Sequence, residues 1–156
     1  METTCDLQVK RVRTSLTPQE LVQALVDSHF DVFGRPVSPS RLRMAWAHVS
    51  IENGRGRDTF NNNLGNIGKE AYGSTGPYYK VARSSFKSFP TARGGGIAYW
   101  NTLRQRCPSV IPRFDASDVM GAATYLERCG YYSNNVENYQ KSLASLFGEA
   151  KNFIIW

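Results

Sequence analysis

The sequence predicts a mainly helical single domain with one small β-hairpin inserted after its second helix. Three observations carry that expectation. Apolar residues recur at helical spacing behind two proline-containing caps, at Thr17-Pro18 and Ser38-Pro39. Only near residues 78–89 do short aromatic and β-branched runs replace that spacing. The length, 156 residues, suits one hydrophobic core, and 41% apolar with 21% charged residues is an ordinary globular composition. That composition excludes a disordered chain, and no apolar run approaches the roughly 20 residues that a membrane-spanning helix needs.

Residues 1–16 read as a loose N-terminal arm, with residues 17–156 forming the folded domain. Thr17-Pro18-Gln19-Glu20 is a capping box with proline at the first helical position. Leu21, Leu25, His29 and Phe33 then share a face, and Gly34 stops the helix, so His29 reads as a core or boundary histidine. The second helix opens at Ser38-Pro39. Leu42, Ala45, Trp46 and Val49 lie on one side, Met44, Ala47 and Ile51 largely opposite. A helix apolar around most of its circumference belongs in the centre of a domain. It ends at Glu52-Asn53-Gly54.

Residues 54–77 are rich in Gly and Asn and read as an irregular connection of tight turns. Tyr78–Val81 and Ser85–Phe89 then form the expected hairpin, turning near Ala82 to Ser84. A helix from about Thr91 to Arg106 follows, its first turn weakened by Gly94-Gly95-Gly96. Asp115–Asp118 opens another helix that Gly130 stops, and a last one runs from about Asn135 through Leu146.

Nineteen Lys and Arg against thirteen Asp and Glu leave +6 at neutral pH, which favours an anionic partner: nucleic acid, acidic lipid or an anionic wall polymer. Cys5, Cys107 and Cys129 are odd in number and irregular in spacing, so they imply no disulfide framework. A Cys107–Cys129 bridge stays open for an oxidising compartment. With His29 and His48 as the only histidines, no metal-ligand spacing exists and no cofactor is implied.

Glu52 is the most informative residue. A carboxyl in the last turn of a buried helix is disfavoured as an anion by its low-polarity surroundings and by the negative end of the helix dipole. Both raise its pKa, as a proton donor near neutrality requires. His48, one turn earlier, is within reach of it and would act in the opposite sense if charged.

Ala47-x-x-x-x-Glu52-Asn53-Gly54-x-Gly56 followed by Asn62-Asn63-Leu64-Gly65-Asn66-Ile67-Gly68 resembles the bacterial endo-β-N-acetylglucosaminidases of the autolysin and flagellar type, within the lysozyme-like superfamily. Asn53 stands where that family usually has Ser, and Asn66 interrupts its loop segment. Tyr79–Pro90, Tyr99–Arg106 and Gly130-Tyr131-Tyr132-Ser133 with Tyr139 are similar to later family segments in the same order, so the resemblance spans about residues 38–146. It implies an α+β lysozyme-like fold with the hairpin lobe flanking an active-site cleft. It also implies cleavage of the β-1,4 glycan backbone of peptidoglycan, with Glu52 protonating the glycosidic oxygen.

Under that implication, Asn62, Asn63 and Asn66 offer amides for sugar hydroxyl and acetamido groups, or else build turns. Tyr72, Tyr78, Tyr79, Tyr131 and Tyr132 offer stacking faces or core packing, with Tyr131 or Tyr132 nearest the reaction centre. A second carboxylate is harder to find, since Ala71–Phe114 contains no acid. Glu70 is the candidate by position and Asp58 the runner-up. A lytic transglycosylase, which needs a single Glu, is the alternative.

The expected partner is therefore the peptidoglycan strand, with no nucleic acid and no membrane, acted on by a monomer. Lys and Arg form no single run, and no nucleic-acid signature is present. A non-catalytic basic glycan- or nucleic-acid-binding module is the non-enzymatic rival. Met1–Arg13 lacks an apolar stretch, so no ordinary secretory signal is expected. Synthesis in the cytoplasm with action on the wall of a target cell, as a phage product or injected effector with an immunity protein as partner, fits that reading.

Overall fold

In the computed structural model, residues 7–70 and 76–154 are described. Two proline-led helices form the frame, α1 (Pro18–Phe33) and α2 (Pro39–Asn53). The capping box at Thr17 is formed in both directions, and Gly34 and Gly54 end the two helices in the left-handed conformation. An antiparallel hairpin follows, β1 (Tyr78–Val81) against β2 (Ser84–Lys87), with Tyr79 opposite Phe86. The hairpin turns at Ala82, and Phe89 lies beyond its end. Four more helices complete the described chain: α3 (Ala92–Arg106), α4 (Val110–Asp115), α5 (Val119–Arg128) and α6 (Val136–Ala150). The protein is thus mainly helical with one two-stranded sheet among the described residues. None of its helices is long and apolar enough to cross a membrane among those residues.

Helix α2 is central, as its all-round apolarity predicts. Ten of its fifteen residues are buried, and it packs against α1, α4 and α6. Trp46, Tyr99, Trp100 and Phe114 fill the core around it with no exposed surface. Each indole N–H is satisfied by a backbone carbonyl, Trp46 by Pro18 and Trp100 by Leu25, so these large rings leave no buried donor unpaired.

Several local features depart from the sequence reading. Helix α3 starts at Ala92 in spite of its three glycines, because Thr91 caps it and the glycines are contact points. A Cβ at Gly95 would collide with the Asn62 carbonyl, and one at Gly96 with Ser28. Helix α4 was not expected from the sequence. Pro112 occupies the first turn, where its missing N–H has no partner to lose. Within the expected opening Asp115–Asp118, it is Asp118 that caps α5.

The arm is bonded rather than loose over residues 7–16. Val9 donates to Tyr78, Tyr78 to Leu7, Thr14 to Thr59 and Leu16 to Gly56, all at 2.7–3.0 Å. Arg11 lies 3.7 Å over the Phe60 ring. Cys107 and Cys129 form a disulfide with Cα atoms 5.5 Å apart, joining the ends of α3 and α5, a pairing that their spacing alone does not signal.

Candidate active site

Glu52 stands in the last turn of α2, half-buried, in a cleft of about 460 Å³. The cleft is walled by the segment between α5 and α6 and by the first turns of α6, including Tyr131, Tyr132, Asn135, Asn138 and Tyr139. Asn135 caps α6 by accepting from the Asn138 backbone N–H, which aims the helix start, and with it Tyr139, at the carboxyl. The Tyr139 hydroxyl donates to Glu52 Oε1 at 3.4 Å. From the opposite side, the Asn66 amide donates to the Glu52 carbonyl at 3.0 Å and to Oε2 at 3.3 Å.

Burial raises the Glu52 pKa above the usual carboxylate value, and the hydrogen bonds from Asn66 and Tyr139 pull back against it without cancelling it. Burial and the adjacent Glu52 charge likewise hold the Tyr139 phenol neutral, as a donor. The arrangement is a carboxyl disposed to keep its proton, held from two sides and open to a cleft. It can donate that proton to an oxygen entering the cleft.

Beneath the carboxyl lies a buried support. His48 does not bond to Glu52; its Nδ1 meets the Tyr99 hydroxyl at 2.8 Å. Its ring packs edge to face with Tyr131, centroids 4.5 Å apart. Burial depresses the His48 pKa to about 3, so the imidazole is neutral and places no positive charge beneath Glu52.

The structure sorts the residues singled out in the sequence. Tyr131 and Tyr132 both reach the cleft, but each hydroxyl is committed to a backbone carbonyl, Tyr131 to Gly65 and Tyr132 to Ala123, both at 2.7 Å. Tyr132 contributes its ring, stacked on Tyr139 at 3.6 Å and within 3° of parallel. The hydroxyl that touches Glu52 is that of Tyr139. Sequence reasoning missed that role, though the residue closes the last of the matched segments.

Of the three asparagines, only Asn66 reaches Glu52. The Asn62 amide donates to Phe89, and Asn63 is buried with its amide on Ile67 and Lys87 and its oxygen on the Ile67 N–H, so both hold the loop together. Asn62 and Asn66 also take positive φ, as turn-forming asparagines do. Asn53 pins the same loop to Leu64 and Gly56.

Glu70 is exposed on the loop before the hairpin, and Asp58 is ion-paired to Arg13 at 2.7 Å. Neither lines the cleft, in which Glu52 is the one carboxylate among the described residues. Tyr78 is paired with the arm, with Lys69 over its ring, and Tyr79 is buried against Phe86. Tyr72 lies outside the described residues. Among the described residues no cluster of three His, Cys, Asp or Glu side chains is placed to hold a metal ion. No family model, curated protein or solved structure matches this chain.

Proposed function

We propose that the protein is a lysozyme-like peptidoglycan hydrolase that cleaves the β-1,4 glycan backbone, with Glu52 as general acid. The observation that carries this reading is the half-buried Glu52 carboxyl at the end of a buried helix, its pKa raised by burial, facing a cleft lined by asparagine and tyrosine. Such walls suit sugars, since the rings offer flat apolar faces and the amides both donate and accept. Glu52 passes its proton to the glycosidic oxygen as the bond to the anomeric carbon lengthens. Asn66 and Tyr139 then stabilise the carboxylate left behind.

A second reading, a lytic transglycosylase, is favoured by one observation: among the described residues Glu52 is the sole carboxylate lining the cleft. In that reaction a hydroxyl of the sugar itself attacks the anomeric carbon, and no second protein carboxylate is required. Participation by the substrate's acetamido group would serve hydrolysis in the same one-acid site.

The test is digestion of purified peptidoglycan by the wild type and by Glu52→Gln, with soluble fragments weighed by mass spectrometry. New reducing ends from the wild type, and a rate at least about a hundredfold lower in the variant, are expected. Anhydro ends would assign the transglycosylase instead. If the folded wild type releases no fragments, the enzymatic reading fails.

A further inference from the structure

The positive charge that is scattered along the sequence is gathered in space. Among the described residues, 7–16, 54–70 and 76–90 hold nine Lys and Arg against two acids, while the others hold ten against nine. Nearly all of the excess positive charge of the described residues therefore belongs to the arm, the loop after α2 and the hairpin. These three segments form one lobe. Asn61 bonds to Val12 and Lys10 of the arm, Asn63 to Lys87 of β2, and Gln8 bridges to Tyr78 of β1. The lobe meets the cleft directly, through the bonds from Asn66 to Glu52. Lys10, Arg11, Arg57, Lys80 and Arg83 are exposed on it.

The cleft itself has the opposite character. Among the described residues its lining includes no Lys or Arg, only Ile51 and neutral polar and aromatic groups around Glu52. A partner matched to both surfaces has an uncharged backbone to lie in the cleft and anionic branches to reach the lobe. Nucleic acid fits poorly, because its negative charge runs along the backbone and would bring phosphates against Glu52. A peptidoglycan strand fits, since its sugars are largely neutral and its peptide stems end in carboxylates.

We infer that the basic lobe is a second binding surface, which grips the carboxylates of the peptide stems on the strand whose sugars enter the Glu52 cleft. This rests on the proposed function and adds to it a requirement for anionic, peptide-bearing glycan. Long-range attraction of this kind raises the local concentration and association rate of the polymer and is screened by salt.

The experiment uses the double variant Lys80→Glu/Arg83→Glu, with Lys80→Arg/Arg83→Lys as its charge-conserving counterpart. Neither residue lines the cleft. Binding is read by co-sedimentation with insoluble peptidoglycan stripped of phosphate-containing polymers. A second batch of the same wall has its carboxylates converted to neutral amides. Cutting of a neutral N-acetylglucosamine oligomer is followed in parallel.

Charge reversal and carboxylate capping are each expected to lower binding at low salt by at least about tenfold, on the scale of about 1 kcal/mol for each basic residue at an anionic surface. The charge-conserving variant should bind like the wild type, and cutting of the neutral oligomer should not change with charge reversal. Equal sedimentation of the reversed variant, or of capped and uncapped wall, would overturn the inference. So would tighter binding of duplex DNA than of wall, with charge reversal weakening only the DNA complex. If nothing is cut but the sedimentation pattern holds, the surface stands and the enzymatic reading falls.

Discussion

Acid should destabilise this protein well before its carboxylates are protonated, because two imidazoles are buried in the neutral state. His29 is 1% exposed, and its pKa is lowered to about 4, chiefly by burial. Its two ring nitrogens are both engaged: Nδ1 lies 3.1 Å from the Arg35 carbonyl, and Nε2 3.0 Å from the Arg41 guanidinium. The carbonyl needs a donor at Nδ1 and the guanidinium an acceptor at Nε2, so the fit is to neutral imidazole. Arg41 is itself held by both oxygens of Asp115, at 2.7 and 2.8 Å. His48, with no exposed surface, is lowered to about 3 by burial.

The sign follows from proton counting. Between about pH 6.5 and the folded values, the unfolded chain binds a proton at each histidine and the folded chain does not, so stability falls as pH falls. At about 1.4 kcal/mol per pH unit for each group, a drop to about pH 5 costs about 2 kcal/mol at each site and about 4 kcal/mol together. That is a large part of the 5–15 kcal/mol typical of a domain. Glu52 works in the other direction, since its raised pKa makes the folded chain the better proton binder there, and it offsets part of the loss. Urea unfolding at a series of pH values measures the slope directly. His48→Gln should remove about half of it, whatever it does to absolute stability. A stability that stays flat from neutrality to about pH 5 would refute the buried neutral imidazoles.

Three further outcomes are expected. Reducing the Cys107–Cys129 bridge, which closes a loop of 22 residues, should lower stability by about 3 kcal/mol, read as a fall in Tm with dithiothreitol that Cys107→Ser/Cys129→Ser reproduces without it. Gly65→Ala would drive a methyl group into the Tyr131 hydroxyl and to 2.9 Å from the Tyr99 ring, so a loss of about 1–3 kcal/mol is expected, with cutting lowered by more than instability explains. Asp115→Ala strips the buried Arg41 guanidinium of its carboxylate and should cost about 2 kcal/mol, while peptidoglycan cutting by the folded fraction stays unchanged.

How much of this was legible depended on whether the cause was local. The caps at Thr17 and Ser38, the stops at Gly34 and Gly54 and the burial of α2 follow from residues adjacent in sequence, and the sequence reading placed them correctly. The position of Glu52 at the end of a buried helix was legible for the same reason. The pairing of the arm with residues 56–61 was not, because it depends on partners forty or more residues apart that show no strand alternation. Asn62, Asn63 and Asn66 look alike in sequence; only the fold decides that the first two amides bond to backbone carbonyls and that the third reaches the Glu52 carboxyl. The glycines of α3 misled in an instructive way, since their intrinsic cost is offset by the close approach that they permit to Asn62 and Ser28.

The site and the fold together set the pH range in which the proposed reaction can run. A general acid must carry its proton, so the rate falls as pH rises through the elevated pKa of Glu52. On the other side, protonation drives out His29 and His48, and the folded population falls. The two limbs therefore have different origins, one chemical and one conformational. Tyr139→Phe and Asn66→Ala each remove a hydrogen bond that lowers the Glu52 pKa, so each should move the alkaline limb to higher pH and leave the acid limb in place. His48→Gln should reshape the acid limb alone, in step with far-ultraviolet circular dichroism. An acid limb that appears while the dichroism is unchanged would assign it to a titrating group in the cleft instead. An alkaline limb indifferent to both Tyr139→Phe and Asn66→Ala would mean that Glu52 is not the proton donor.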